Sequence, residues 1–341
     1  MRILFVTDDF SGASLCARLA QEGNDVRAHV GNPDHVQTLD GWINRVPTLD
    51  AGLDWVGKDG LIVCDDNGFG PLQDRLRTDG WQPALRVGPT VRGDRGVFAN
   101  QTIVRGSRLF ICGGSVLSLS DEDSLPSECA DKPIEISEWF SLGPRTDTDI
   151  PLVPQHYVNH SCNPNAGWEG QLTLVALRNI LAGEEVCYDY CMVMQSNASS
   201  GSYWSMNCEC RQSTCRHIIA EDDWTRPELQ ARYNGFFAWH LQQKIDAVNK
   251  GLTLPTFRAH DGKRNGWNWI DNRLISHGSR ISNTGLFASA YIPGGTIVFV
   301  NGGRVFGINR EPLDLSLQIL DDFVIGPDVG EESVSDHINH S

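Results

Sequence analysis

Short β-type runs bounded by Gly, Asn and Asp recur along most of this chain, while apolar residues at helical spacing mark three stretches. Arg2 to Thr7 is a first strand, ending at the turn Asp8-Asp9-Phe10-Ser11-Gly12. Ala13 to Gln21 sets Leu15, Cys16, Leu19 and Ala20 on one helix face, and Gly23-Asn24 stops it. Asp25 to Val30 and Gly60 to Cys64 are further strands, and Leu72 to Thr78 reads as a second helix. This alternation predicts a small α/β unit with a parallel sheet over residues 1–85. Such sheets bind ligands at the carboxyl ends of their strands, which points to Asp8, Asp9, Asp65 and Asp66. No Gly-x-Gly-x-x-Gly follows the first strand, so a dinucleotide role has no support.

Beyond residue 85 the strands become shorter and the glycines more frequent. Val91 to Ala99, Ile103 to Phe110 and Ser115 to Leu119, with Gly113-Gly114 between the last two, predict a β-rich fold. Residues 120–152, polar with several prolines, read as a variable insert. Leu229, Tyr233, Phe236, Phe237, Trp239 and Leu241 predict one amphipathic helix over 225–250, opened by Pro227, with a polar linker over 251–274. An internal repeat follows. Asn283-Thr284-Gly285-Leu286-Phe287-Ala288 mirrors Asp94 to Ala99, and Gly302-Gly303-Arg304-Val305 mirrors Gly113 to Val116. Gly114 follows Gly96 by 18 residues, and Gly303 follows Gly285 by the same 18. The expected fold class is therefore α+β and multidomain.

Composition narrows the partners. The 341 residues carry a net charge of -15, so no basic face for a phosphate backbone is expected, and direct nucleic-acid binding is not. An acidic surface steers Lys-rich or Arg-rich protein segments, or simply keeps the chain soluble. No run reaches membrane-spanning length, and Ile3-Leu4-Phe5-Val6 is too short for a signal-peptide core. The cytoplasm or another reducing interior is the expected location. The ten cysteines are unevenly spaced, which argues against a disulfide framework.

Three motifs carry the chemistry. They are Tyr157-Val158-Asn159-His160-Ser161-Cys162-Asn163-Pro164-Asn165, then Gly183-Glu184-Glu185-Val186-Cys187-Tyr188-Asp189-Tyr190, then Cys208-Glu209-Cys210 with Cys215. In this order the first two resemble the signature of SET-domain protein lysine methyltransferases, and the third resembles their zinc-binding post-SET segment. Arg92-Gly93-Asp94-Arg95-Gly96 resembles the opening Gly-x-Gly motif, with Asp94 where the first glycine is usual. The resemblance implies an S-adenosylmethionine site at Arg95, Gly96, Tyr157, Asn159 and His160, and a knot-like crossing at the Asn-His pair. His156 stands where the family often has Arg. It implies a Lys-containing protein or peptide as substrate. It also implies domains at 86–205 (SET), 206–224 (post-SET) and 275–341 (a partial second SET unit). Residues 1–85 resemble the pre-ATP-grasp domain of phosphoribosylamine–glycine ligase-like proteins at Gly60 to Gly70. No ATP-binding domain follows, so a docking module is the expectation there.

Lysine must shed a proton before its nitrogen attacks, and burial in an apolar channel favours the neutral amine. A tyrosine at the channel end, Tyr190, orients amine and methyl without ionising. Glu184-Glu185 reads as a turn-forming pair. Cys208, Cys210 and Cys215 supply three thiolates where structural zinc needs four; the resemblance names Cys162 as the fourth. The second unit reaches only Asn339-His340-Ser341 and carries no catalytic Tyr or Cys-x-Cys, as in a truncated sequence or a vestigial scaffold. The rival reading for the whole chain is a non-catalytic, zinc-stabilised interaction scaffold.

Overall fold

Four parallel strands organise the amino-terminal part of the computed structural model, which describes residues 1–8, 13–35, 37, 40–57, 60–64, 84–146, 154–195, 203–281, 284–307, 316–321 and 323–327. The chain divides into two compact units: residues 1–84 with 305–325, and residues 85–304 with 326–341. The stretch expected as one partial unit, 275–341, is thus shared between the two. No described helix is long and apolar enough to cross a membrane.

In the first unit β1 (Arg2–Thr7), β2 (Asp25–Val30), β3 (Asn44–Arg45) and β4 (Leu61–Cys64) form a parallel sheet in the order β3-β2-β1-β4. The alternation of β1 explains its two-sided burial. Ile3 and Phe5 pack with Cys16 of α1 (Ala13–Gln21), while Leu4 and Val6 pack with Val56 of α2 (Leu49–Val56). Helix α2, unforeseen in the sequence, starts where the Thr48 side chain accepts the Ala51 N–H. Asp9, Asp65, Asp66 and the expected helix Leu72 to Thr78 lie outside the described residues.

The second unit is built from small sheets. Strand β6 (Arg95–Ala99) lies between β5 (Leu85–Pro89) and β14 (Glu185–Tyr188), and β14 pairs in parallel with β11 (Asn159–His160). Strands β7 (Arg108–Ile111), β12 (Ala166–Glu169) and β13 (Thr173–Ala176) form another sheet. A third contains β8 (Ser115–Ser118), β9 (Ile134–Glu135) and β10 (Phe140–Gly143). The presumed insert therefore supplies two strands, and Phe140 and Leu142 are core residues.

Two further expectations give way. The single helix over 225–250 is two, Pro227–Arg232 and Trp239–Asn249. Asn234-Gly235 breaks it: Gly235 takes φ +81°, a left-handed conformation that glycine adopts without penalty. The break lets Leu229, Tyr233, Phe237 and Leu241 all enter the core around Val97, Trp168 and Met192. The linker expected over 251–274 contains strands Arg258–Ala259, Gly262–Asn265 and Asn268–Asp271. Its Trp269 is 2% exposed, with its ring 4.7 Å from that of Phe140. Asn268 and Asp271 are buried beside it; the Asn268 carboxamide accepts the Gly302 N–H and Arg273 pairs with Asp271.

Candidate active site and thiolate cluster

The hairpin Pro89–Arg95 opens the site. Asp94 closes it, bonding the Thr90 hydroxyl and lying 3.4 Å from Arg92, while the Asp94 carbonyl accepts the Thr90 N–H. The next residue pair faces inward. A β-carbon on Gly96 would lie 3.1 Å from Asn159 Nδ2 and would also meet Glu185, so glycine is required by close approach. Asn159 Nδ2 donates to the Arg95 carbonyl (3.0 Å) and to Glu185 Oε1 (2.8 Å). Arg95 lies over the Tyr157 ring at 4.5 Å and donates to its hydroxyl at 3.2 Å. Arg95, Gly96, Tyr157 and Asn159 thus form one contiguous group, in which the bare backbone of Gly96 lets the side chains of Glu185, Thr90 and Asn159 close over it.

Glu184 and Glu185 do more than turn the chain. Glu184 accepts from Arg178 at 2.5 Å and from the Leu181 N–H at 3.0 Å, and Glu185 fixes Asn159. The sequence signal for Glu185 was its place in a strand beside buried Val186, where a charged side chain needs a partner.

His160 joins this group to Tyr190. Its Nδ1 accepts the Tyr190 N–H at 3.2 Å, so the neutral ring carries its proton on Nε2, directed at Cys162 Sγ 3.3 Å away. Burial pushes the His160 imidazole down to about 4, keeping it neutral despite Asp189 at 3.6 Å. Asp189 is fully buried. Burial raises its pKa, but two bonds from Arg216 (2.5 and 2.8 Å) hold it below the usual carboxylate value. Tyr233 donates to the same carboxylate at 3.1 Å. Arg216 also donates to buried Asp223, at 3.1 Å. Arg216 thus ties the carboxyl-terminal segment to the residue before Tyr190, a role its position after Cys215 did not disclose.

Tyr190 is half-buried, with ring centroids 5.2 Å from both His160 and Tyr188. Burial raises its hydroxyl to about 12, so it stays protonated at neutral pH. It lines a cavity of about 540 Å³ together with Tyr188, Val158, Trp204, His156 and Glu135.

The Sγ atoms of Cys162, Cys208, Cys210 and Cys215 lie within 4.8 Å of one another. Tetrahedral zinc with ~2.3 Å bonds puts sulfurs ~3.8 Å apart, and Cys162 to Cys208 is 3.7 Å. The donor set therefore fits structural zinc. Backbone N–H groups of Arg216 and His217 point at Cys162 and Cys215 Sγ, both at 3.4 Å, which suits thiolates. Arg211 (φ 55°) and His217 (φ 64°) adopt left-handed backbone on either side of Cys215, a strained loop that a metal would repay.

Residues 94–191 match the SET domain family. Among solved structures the chain is similar to KRYPTONITE, solved in complex with mCHG DNA and SAH, at 21% identity and TM-score 0.29 over 39% of this chain. It spans 28% of that chain. It is also similar to a candidate histone methyltransferase of Plasmodium falciparum, at 22% identity and TM-score 0.25, over 32% of this chain and 94% of that one. No curated protein matches.

Proposed function

Residues 94–191 are a SET domain, and on that premise we propose that the chain is a protein-lysine N-methyltransferase using S-adenosylmethionine. The observation that carries this reading is His160: it accepts the Tyr190 N–H, while the adjacent Asn159 packs against Gly96. The cofactor motif and the tyrosine are thereby one rigid assembly. Arg95, Gly96, Tyr157, Asn159 and His160 would hold the cofactor, which when bound supplies an electrophilic methyl on a sulfonium.

The residues of the chain do the rest. The aromatic wall of Tyr188, Tyr190 and Trp204 favours the neutral amine over the ammonium by excluding water. The Tyr190 hydroxyl, protonated at working pH, orients the amine's lone pair. Cys162, Cys208, Cys210 and Cys215 would hold zinc, which would fasten Trp204, packed against them, beside the cavity. A purely non-catalytic scaffold is supported by Asp94 in the place of glycine, and cofactor binding separates the two readings.

The test is transfer of labelled methyl from S-adenosylmethionine to Lys-rich proteins, wild type beside Tyr190→Phe. Zinc-loaded wild type should transfer, and the variant should lose at least about 100-fold in kcat, as expected when transition-state alignment is lost. Zinc-loaded protein that neither binds cofactor nor transfers methyl would remove the enzyme reading.

A further inference from the structure

The sheet of β8, β9 and β10 has two faces, and the cavity takes only one. Side chains alternate between the faces of a strand. In β10, Ser141 lines the cavity, whereas Phe140 and Leu142 turn away into a core shared with Val116 of β8. Glu135 of β9, paired with Ser141, lines the cavity as well. The outer face is filled by the later chain. The Trp269 ring lies 4.7 Å from that of Phe140, and Ala259, Ile297 and Val300 pack against the same core. Backbone contacts hold this joint in register. The Trp267 carbonyl accepts the Val116 N–H at 2.8 Å, and a β-carbon on Gly302 would meet the carbonyl oxygens of both Trp267 and Gly114.

The identity of residue 269 is informative. Phe110 and Ile111 of β7 pair with Leu174 and Thr173 of β13. Phe299 and Val300 stand before Gly303 as that pair stands before Gly114, and they pair with Ile270 and Trp269. Trp269 therefore holds the pairing position that Thr173 holds in the other sheet. Threonine and tryptophan both suit a strand, so pairing alone does not call for an indole. What the indole adds is cover for the back of the cavity wall. Interiors are packed densely enough to pass a displacement on. With the ring removed, β10 would settle into the void, and β9 with it.

We propose that the hairpin 262–271 is a positioning element for the cavity, with Trp269 holding β9 and β10 in place from the face turned away from it. Trp269 is not among the residues that line the cavity. It acts through Phe140 and Leu142 on the strand that carries Ser141, and through that strand on Glu135. The consequence for catalysis rests on the methyltransferase reading above; the packing does not. A wall that moves outward admits water and weakens the exclusion that keeps an amine neutral.

The test is a carboxyl 13C NMR titration of Glu135 on the full-length, zinc-loaded chain labelled at glutamate, with Glu135→Gln assigning the signal. Burial pushes this carboxyl up to about 8, with the Gln195 N–H and Lys244 opposing and Glu122 and Glu221 adding repulsion. Trp269→Leu alters none of those groups. It should bring the midpoint down by at least about one pH unit as water reaches the wall. Trp269→Phe, which keeps a ring against Phe140, should restore most of that shift. Loss of overall stability alone leaves a native-state midpoint where it was. If Trp269→Leu does not fold, Val300→Ala, opposite Trp269, should move the midpoint the same way by less. In the variant that shifts, kcat/KM for methyl transfer to core histones should fall at least about tenfold, with S-adenosylmethionine affinity within about twofold of wild type. A midpoint unmoved in every variant overturns the positioning role, and so does transfer unchanged where the midpoint has moved. A moved midpoint in a chain that, as wild type, neither binds S-adenosylmethionine nor transfers methyl upholds the positioning and removes the methyltransferase reading.

Discussion

Two stretches of this chain are written almost alike and end differently. Arg95 to Ala99 and Thr284 to Ala288 both form strands around a buried glycine and a phenylalanine, and each is followed by a glycine pair. Gly114 and Gly303 even share a backbone conformation, φ +149° and +142°, and they bond each other in an antiparallel bridge, both N–H···O distances 2.9 Å. Yet strand 95–99 has neighbours on both sides, whereas among the described residues strand 284–288 pairs only with Leu274–Gly278. Phe98 lies under the Arg86 guanidinium, whereas Phe287 stacks on an exposed His277 at 3.7 Å. What separates a site from its echo is the second neighbour: β14 brings Glu185, Asp189 and Tyr190, and nothing comparable flanks 284–288 among the described residues. A motif specifies a strand and a close approach; function needs the partner that approaches.

The largest expected difference between the stretches follows from the thiolates. Chelation, or Cys210→Ser, should remove an interaction on the order of 10 kcal/mol at full metal occupancy. Amide exchange should then rise over 203–225 and around Tyr190, which Arg216 and His160 tie to the cluster, while 284–288 stays as protected as before. Equal loosening of both stretches would mean that the cluster supports the unit as a whole.

The shared glycines test the likeness itself. A β-carbon on Gly114 would lie 3.1 Å from the Gly143 nitrogen, and one on Gly303 would meet the Gly326 backbone. Each conformation is also strained for an L side chain. Gly114→Ala and Gly303→Ala should each cost about 1–3 kcal/mol in denaturant unfolding, and a cost confined to one would break the equivalence.

The smallest effect is a pH dependence confined to the cavity side. Because folding raises the Glu135 carboxyl from its ordinary range to about 8, its contribution is fully present below the unfolded pKa. It is lost as pH rises through 8. Glu135→Gln, a permanently neutral stand-in, should therefore raise the melting temperature by about 2–4 °C at pH 9 and by little at pH 5. A gain equal at both pH values would exclude titration as the cause.

Local chemistry made much of this legible. The Asn159-His160 pair, Tyr190, and Cys208 with Cys210 and Cys215 stand out because their residue types and spacing are rare together. Asn234-Gly235 carried a helix stop that the aromatic series from Tyr233 to Leu241 masked, so one helix was expected where two form. The stretch 251–274 looked like a linker because its first part is polar; what makes it structure is Trp269 in the core and the buried Asn268 and Asp271, which bond Gly302 and Arg273. Arg216 gave no sign in the sequence of its bonds to Asp189 and Asp223, and Glu185 offered only its place beside Val186.

By itself, then, the sequence determined where many strands begin, where a glycine is called for, and which thiols and which tyrosine were candidates for the site, because propensity, φ preference and side-chain chemistry are local properties. Only the tertiary structure decided that His160 bridges Tyr190 and Cys162, that Asp189 is neutralised by Arg216, and that of two similar strands one is enclosed by a site. Those outcomes depend on which distant groups desolvate one another, and a buried charge or an orphaned donor exists only once the chain has closed around it.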